Sequence, residues 1–137
     1  MTSFLLESLG GFDDFLLHFI TSLLFVAIFY KAYSWITPYD EIKLISQGKV
    51  APAISLGGAL IGFVLPLASA ISQSVSFMDM VIWAVLAMLV QFAVFGFVRY
   101  HYKELVRQIE DDQRAAATLL ACFSIAIGVL NAACMTQ

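Results

Sequence analysis

The chain has 137 residues, of which 61% are hydrophobic and 12% are charged, and its net charge is −3. Its mean hydropathy is +0.90, and a soluble domain of this length could not bury so much apolar surface. We therefore expect an all-α integral membrane protein, a single transmembrane domain over 1–137, with the lipid bilayer as its main partner and with no cofactor or nucleic-acid partner.

Four apolar segments are long enough to cross a bilayer, which takes about 20 residues. They are predicted at 15–36, 51–71, 77–98 and 115–135. The second and third segments are joined by the short sequence SQSVSFMD, which predicts a tight turn. The other two connectors are longer and polar.

The first long connector, TPYDEIKLISQGK, carries the signals of a short helix. Thr37 is the predicted cap, Pro38 the first helical residue, Asp40 the other half of a capping box, and Gly48 the stop. The second, HYKELVRQIEDDQR, places Leu105, Val106 and Ile109 on one helical face. Each connector is either a solvated loop helix or a docking face for a partner.

The basic residues indicate the orientation of the chain. All seven lie on one side: Lys31, Lys43, Lys49, Arg99, Lys103, Arg107 and Arg114. The opposite side carries Glu7, Asp13, Asp14 and Asp79 and no base. By the positive-inside rule, the long connectors face the cytoplasm and both termini lie outside it.

Aromatic residues gather on that same basic side, as is common at the headgroup level of a membrane. They are Tyr30, Tyr33, Trp35, Tyr39, Tyr100 and Tyr102. Lys31 lies slightly inside the end of the first span. Its side chain either snorkels to the inner interface or serves as a cation on an ion path.

The chain repeats itself at an offset of 64 residues, where DEIKLISQGKVAPAISL aligns with ELVRQIEDDQRAAATLL. The repeat unit is a span, a basic connector and a second span, at about 12–72 and 76–137. An even number of crossings leaves both copies in the same orientation. The sequence thus predicts two tandem parallel two-helix repeats, related by an axis along the membrane normal.

Small residues form a stripe on one face of the second and fourth spans. Such stripes let helices approach closely in lipid, and Gly58 and Gly62 form a Gly-x-x-x-Gly pair. The two stripes either face each other or face a second copy of the chain. Bulkier spans one and three are expected to face lipid more. The residues singled out for packing, or for lining a polar path, are Ser55, Gly58, Gly62, Pro66, Ser124, Gly128 and Asn131.

No catalytic or metal-binding pattern is evident in the sequence. His18 follows Asp14 by one helical turn, an arrangement typical of a cap or an interface as much as of a proton site. Cys122 and Cys134 are about 18 Å apart on one predicted helix, too far for a disulfide. Deep polar residues such as Gln91 are uncharged, which argues against active transport but not against a passive pore.

The segments ITPYDEI, GALIGFVLPLASAIS and NAACMT resemble the YjfL-type family of small bacterial inner-membrane proteins, known as domain of unknown function family 350. The resemblance covers nearly the whole chain and implies a repeated two-helix unit. Members often carry an Asn before the alanines that open the second and fourth spans, where this chain has Lys49 and Gln113. The resemblance also implies a membrane component of an envelope-maintenance or stress system.

Together these features predict a non-enzymatic bacterial inner-membrane protein that acts as a homo-oligomeric anchor or scaffold. The cytoplasmic docking residues would be Lys43, Lys49, Arg107 and Arg114. The alternative is a small channel or permease with the second and fourth spans lining the path.

Overall fold

The computed structural model describes residues 2–135, apart from the side chains of Ser8 and Leu9. Residues 1, 136 and 137 of the predicted domain lie outside the described residues. Within this part of the chain every element is a helix: α1 (Thr2–Ile36), α2 (Glu41–Ser46), α3 (Ala51–Gln73), α4 (Phe77–His101), α5 (Leu105–Glu110) and α6 (Arg114–Met135). The long ones, α1, α3, α4 and α6, are apolar enough to cross a membrane.

Helix α1 is longer than the sequence predicted, since it begins at Thr2 rather than near residue 15. At 1.5 Å per residue its 35 residues span about 52 Å, well beyond a hydrocarbon core of about 30 Å. Two of its side chains, Phe29 and Tyr33, are fully buried against the other helices. From Leu23 towards the N-terminus of α1, the described apolar side chains are exposed, and Ile71 of α3 shares a surface cavity with His18 and Ser22.

Helices α3 and α6 form the centre of the bundle and run parallel. Gly58 faces Ala121, and Ser69 donates a hydrogen bond to the carbonyl oxygen of Ala132 at 3.3 Å. Both contacts join residues 63 apart, so the two helices advance together. α1 and α4 likewise advance together where they meet, since Phe29 lies near Phe92 and Tyr33 near Phe95, with ring centroids 5.7 Å apart in each pair.

Helix α4 packs against both α3 and α6, and its buried side chains include Met80, Ala84, Gln91 and Phe95. In the most apolar stretch of each helix, a larger share of the residues is buried in α4 than in α6. The expectation that the third span faces lipid more than the fourth is therefore wrong. Residue bulk was a poor guide, because large side chains of α4 fill the core beside the small residues of α3 and α6.

The first connector helix starts three residues later than its sequence signals suggested. Asp40, not Thr37, caps α2, because its carboxylate accepts the N–H of Lys43 at 3.3 Å. Pro38 precedes the helix, and the hydroxyl of Thr37 donates to the Glu41 carboxylate instead of capping. Gly48 does end the segment, with a φ of +87° that favours glycine.

Candidate sites at the helix crossing and in the connector layer

The closest approach of the bundle lies where α3 crosses α6. A Cβ atom placed on Gly62 would lie 2.3 Å from the carbonyl oxygen of Ser124, and one on Gly58 would lie 2.4 Å from the Cβ of Ala121. Gly128 meets Gly62 in the same way, with its Cβ position 2.3 Å from the Gly62 carbonyl oxygen. The backbones of α3 and α6 are therefore in direct contact here, as small residues allow in lipid.

Pro66 leaves the carbonyl group of Gly62, which lies at this contact, without its usual hydrogen bond. Proline has no N–H, so the carbonyl of Gly62, four residues earlier, lacks its usual donor within the helix. The Gly128 hydrogen that occupies the Cβ position points at this carbonyl oxygen. Such a Cα–H···O contact partly compensates the missing hydrogen bond.

The remaining polar residues singled out in these helices are held by short-range bonds or by burial. Ser55 is fully buried and donates to the carbonyl oxygen of Pro52 at 3.1 Å. The carbonyl of Ser124, itself a buried residue, accepts a 3.1 Å hydrogen bond from Nε2 of Gln91. Buried Oε1 of Gln91 and Nδ2 of Asn131 have no hydrogen-bond partner among the described residues.

This geometry bears on the path-lining interpretation of the stripe. At Gly58, Gly62 and Gly128 the two backbones touch, which leaves no opening between α3 and α6 within one chain. The glycines therefore serve the close approach of the two helices. A path lined by α3 and α6 outside this contact stays a prediction.

The two connectors pack together as one layer, defined here as residues 37–50 and 102–113 and called the connector layer. Nζ of Lys49 donates to the carbonyl oxygen of Glu110 at 2.6 Å. The carboxylate of Asp112 accepts the N–H groups of Val50 and Ala51, each at 2.8 Å, and so caps α3 from the other connector. Lys49 thus has a structural role in the chain itself.

The other three predicted docking residues are exposed. Lys43 lies on the outer face of α2, Arg107 forms an exposed ion pair with Glu104, and Arg114 begins α6. The apolar residues of α5 point the other way, because Leu105 and Ile109 are fully buried. The exposed face of the connector layer therefore carries charged side chains, together with the apolar side chain of Ile42, which is 52% exposed.

A buried polar cluster at the start of α2 was not predicted from the sequence. Glu41 is 1% exposed, and its carboxylate accepts the Thr37 hydroxyl at 2.5 Å. Tyr33 and Tyr39 are buried beside it, and their hydroxyl oxygens have no hydrogen bond of ordinary geometry within residues 2–135. Burial raises the pKa of the Glu41 carboxyl, while the Thr37 hydrogen bond lowers it in part.

A signal for this cluster was present in the internal alignment. At an offset of 64, Glu41 aligns with Leu105, and Ile45 aligns with Ile109. The structure starts α2 and α5 at Glu41 and Leu105, and both side chains are buried. A carboxylate at a position where the other connector carries a leucine breaks the local pattern, and such departures often mark function.

Metal ligands of the common kinds do not converge in the described part of the chain, where no three His, Cys, Asp or Glu side chains come together. Nδ1 of His18 lies 2.8 Å from the backbone carbonyl of Asp14, within the same helix. Cys122 and Cys134 are free and exposed on α6.

Comparison with known proteins identifies relatives along almost the whole length. Residues 4–135 match the family model described as Domain of Unknown Function (DUF350). The chain is 36% identical over 132 residues to the UPF0719 inner membrane protein YjfL of Escherichia coli (strain K12), covering 96% of this chain and 98% of that protein. It is 25% identical over 119 residues to the UPF0719 transmembrane protein YshE of Bacillus subtilis (strain 168), covering 85% and 88%. No solved structure matches the chain.

Proposed function

The chain belongs to the DUF350 family, and we propose that it is a non-enzymatic inner-membrane protein that acts as a homo-oligomeric anchor or scaffold. The names of its relatives place them in the inner membrane or across a membrane. Its four apolar helices suit that location. The charged face of the connector layer would dock a cytoplasmic protein of an envelope-maintenance or stress system.

The proposed topology has both termini outside the cytoplasm and two parallel repeats. Its support is the one-sided distribution of all seven basic residues. α2 and α5 start and end 64 residues apart, and so do the two residues of positive φ, Gly48 and Asp112. The parallel packing of α3 and α6 agrees with repeats in the same orientation.

One observation carries the docking proposal: the exposed basic side chains are attached to connectors that are hydrogen-bonded to each other. The bonds of Lys49 and Asp112 tie the two connectors together, while Lys43, Arg107 and Arg114 stay exposed, Arg107 in its ion pair with Glu104. An acidic surface of a cytoplasmic protein would complement these three side chains, and fixed charges on a held backbone favour fast, specific encounter.

Homo-oligomerisation is proposed from the exposure of α1. The described apolar side chains of this helix are exposed up to Leu23, and a row of its aromatic side chains stacks along one side, including Phe12, Phe15 and Phe19. Lipid can cover such a helix, but a second copy would also bury it by side-chain packing. Mass analysis of the native protein in mild detergent measures the number of subunits directly.

The experiment for docking is affinity capture from solubilised membranes with a Lys43→Glu, Arg107→Glu and Arg114→Glu variant. Soluble proteins recovered with the natural chain should be lost from the variant. Lys49 is left unchanged, because its Nζ holds the backbone of Glu110 and its replacement would test folding. If the same proteins bind the variant equally well, the docking face is wrong.

Orientation has to be measured in the same variant, because these charges also favour the topology. In a background without Cys122 and Cys134, single cysteines at Gln47 and Val75 report the two sides of the membrane. A thiol reagent that cannot cross membranes should label the Val75 position and spare the Gln47 position. If the natural chain is recovered without soluble proteins and as a closed homo-oligomer, the result would favour the channel alternative, with a path formed between chains.

A further inference from the structure

The buried carboxylate of Glu41 lacks a basic partner. Within residues 2–135, the ion pair observed joins Arg107 to Glu104, and Glu41 accepts from Thr37 alone at hydrogen-bond geometry. The hydroxyl of Ser34 also faces this carboxylate, without a hydrogen bond of ordinary geometry. A buried charge without a partner is costly, so this group needs a cation or a proton.

The surroundings of Glu41 are rich in oxygen. Buried hydroxyl oxygens of Tyr33, Ser34 and Tyr39 have no hydrogen bond of ordinary geometry among the described residues, although the Ser55 hydroxyl also lies near that of Tyr39. Tyr33 and Tyr39 each lie close enough to Glu41 to interact with its charge. Burial raises the pKa of the Tyr39 hydroxyl further above its ordinary value, so this oxygen is neutral at physiological pH.

The backbone adds negative potential at the same place. α1 ends at Ile36, and a long helix presents the negative end of its dipole at its C-terminus. The last carbonyls of α1 are only partly used: that of Tyr33 accepts the N–H of Thr37 at 2.9 Å, while that of Ser34 lies 3.3 Å from the Thr37 hydroxyl, whose single proton is donated to Glu41. A carboxylate at this helix end strengthens the preference for a positive ligand.

An entry route lies next to the cluster. A surface cavity of about 460 Å³ is lined by Ser34, Thr37 and Tyr39 of the cluster and by the exposed side chains of Lys31 and Asp40. The cavity opens at the end of α1, on the basic side of the molecule. A small ion could thus reach the buried oxygens from the aqueous side without crossing the bundle.

We propose that Glu41, Thr37, Ser34, Tyr33 and Tyr39 form a binding site for one monovalent metal cation, Na⁺ or K⁺. One carboxylate with neutral hydroxyl oxygens suits a single positive charge. Mg²⁺ and Ca²⁺ sites draw on more carboxylates or many waters, and transition metals prefer nitrogen and sulfur ligands. The proposal is independent of the scaffold function, because the site consists of buried groups at the end of α1 and the start of α2 and uses none of the proposed docking residues.

The test is thermal unfolding of the full chain in mild detergent at pH 8 and constant ionic strength, with choline chloride replaced stepwise by NaCl or KCl. A ligand that binds only the folded state stabilises it by RT ln(1 + [L]/Kd). The natural chain should therefore show a rise in Tm with one of the two alkali cations, growing logarithmically above Kd. Glu41→Gln should show no rise, and Asp111→Asn, which changes an exposed carboxylate of the same layer, should keep it.

Two results would overturn the proposal. One is equal Tm values in choline and in both alkali salts for the natural chain, including the case in which stability responds to pH alone and a proton neutralises Glu41. The other is the same rise in Glu41→Gln as in the natural chain. If Glu41→Gln does not fold, the double variant Ser34→Ala and Tyr39→Phe decides: it should need more cation for the same rise, and an unchanged titration would refute the site.

Discussion

Gly62 and Gly128 meet backbone to backbone, with the Gly62 carbonyl oxygen 2.3 Å from the position that a Cβ on Gly128 would occupy. This contact fixes the distance between α3 and α6 and therefore the shape of the bundle centre. Because the near atoms belong to the backbone, neither helix can yield by turning a side chain.

Gly128→Ala and Gly62→Ala should each destabilise the protein by about 1–3 kcal/mol, the usual cost of overpacking a filled interior. Gly57→Ala is the matched control on α3, since nothing lies within 4 Å of a Cβ there. Unfolding by a denaturing detergent in mixed micelles measures the three variants side by side. Equal stability of Gly62→Ala and Gly57→Ala would show that the crossing is looser than described.

Gln91→Met should change stability by about 1 kcal/mol or less. The variant loses the Nε2 hydrogen bond to Ser124 but also removes the unpartnered Oε1, and single hydrogen bonds between membrane helices average only about 0.6 kcal/mol. Gln91→Glu has nearly the same shape and should be far worse, because it sets a carboxylate oxygen against the Ser124 carbonyl. The same unfolding assay applies, with the stability of Gln91→Glu measured at neutral and at acid pH. A variant that is tolerated would mean that its carboxyl is protonated and donates to the Ser124 carbonyl in place of Nε2.

Asp112→Asn should weaken the cap on α3 and remove a pH dependence of stability. The N–H of Ala51, helped by that of Val50, holds the pKa of the Asp112 carboxyl below its usual value. A depressed carboxyl pKa contributes stability that is present above the unfolded value of about 3.9 and is lost as pH falls through the folded value.

Thermal unfolding between pH 2.5 and 6 tests this prediction. The natural chain should lose more Tm in that window than Asp112→Asn does. Asp111→Asn is again the control, because Asp111 is exposed and lies one residue away. Parallel pH profiles for the natural chain and Asp112→Asn would contradict the role of this carboxylate as a cap.

When alkali cations are absent, Glu41 should make the stability of the natural chain fall as pH rises, which is opposite to the effect of Asp112, and Glu41→Gln should remove this dependence. Burial raises the pKa of the Glu41 carboxyl, so the folded state holds its proton more tightly than the unfolded state. Stability from this group is present below the unfolded value of about 4.3 and falls as pH rises through the folded value. In choline buffers, Tm of the natural chain should decline over that interval more than Tm of Glu41→Gln.

Much of the architecture could be read from the sequence because lipid imposes simple rules. About 20 apolar residues are needed for each crossing, and four such segments are visible in the sequence. Apart from the start of α1, each predicted helix end lies within three residues of the observed one. The stripe through Gly58 and Gly62 predicted close helix packing. The start of α1 could not be read in this way, since residues 2–14 combine apolar side chains with acids and carry no cap signal.

Sequence alone also determined which residues are charged, which spans are apolar and that no base lies on the acidic side, because these are properties of composition along the chain. Only the tertiary structure decided that Asp112 caps α3, that Lys49 holds Glu110, and that Glu41 is buried among hydroxyl groups. Each of these depends on groups brought together from separate segments, and the side of a short helix that turns inward follows from packing, which local patterns do not specify.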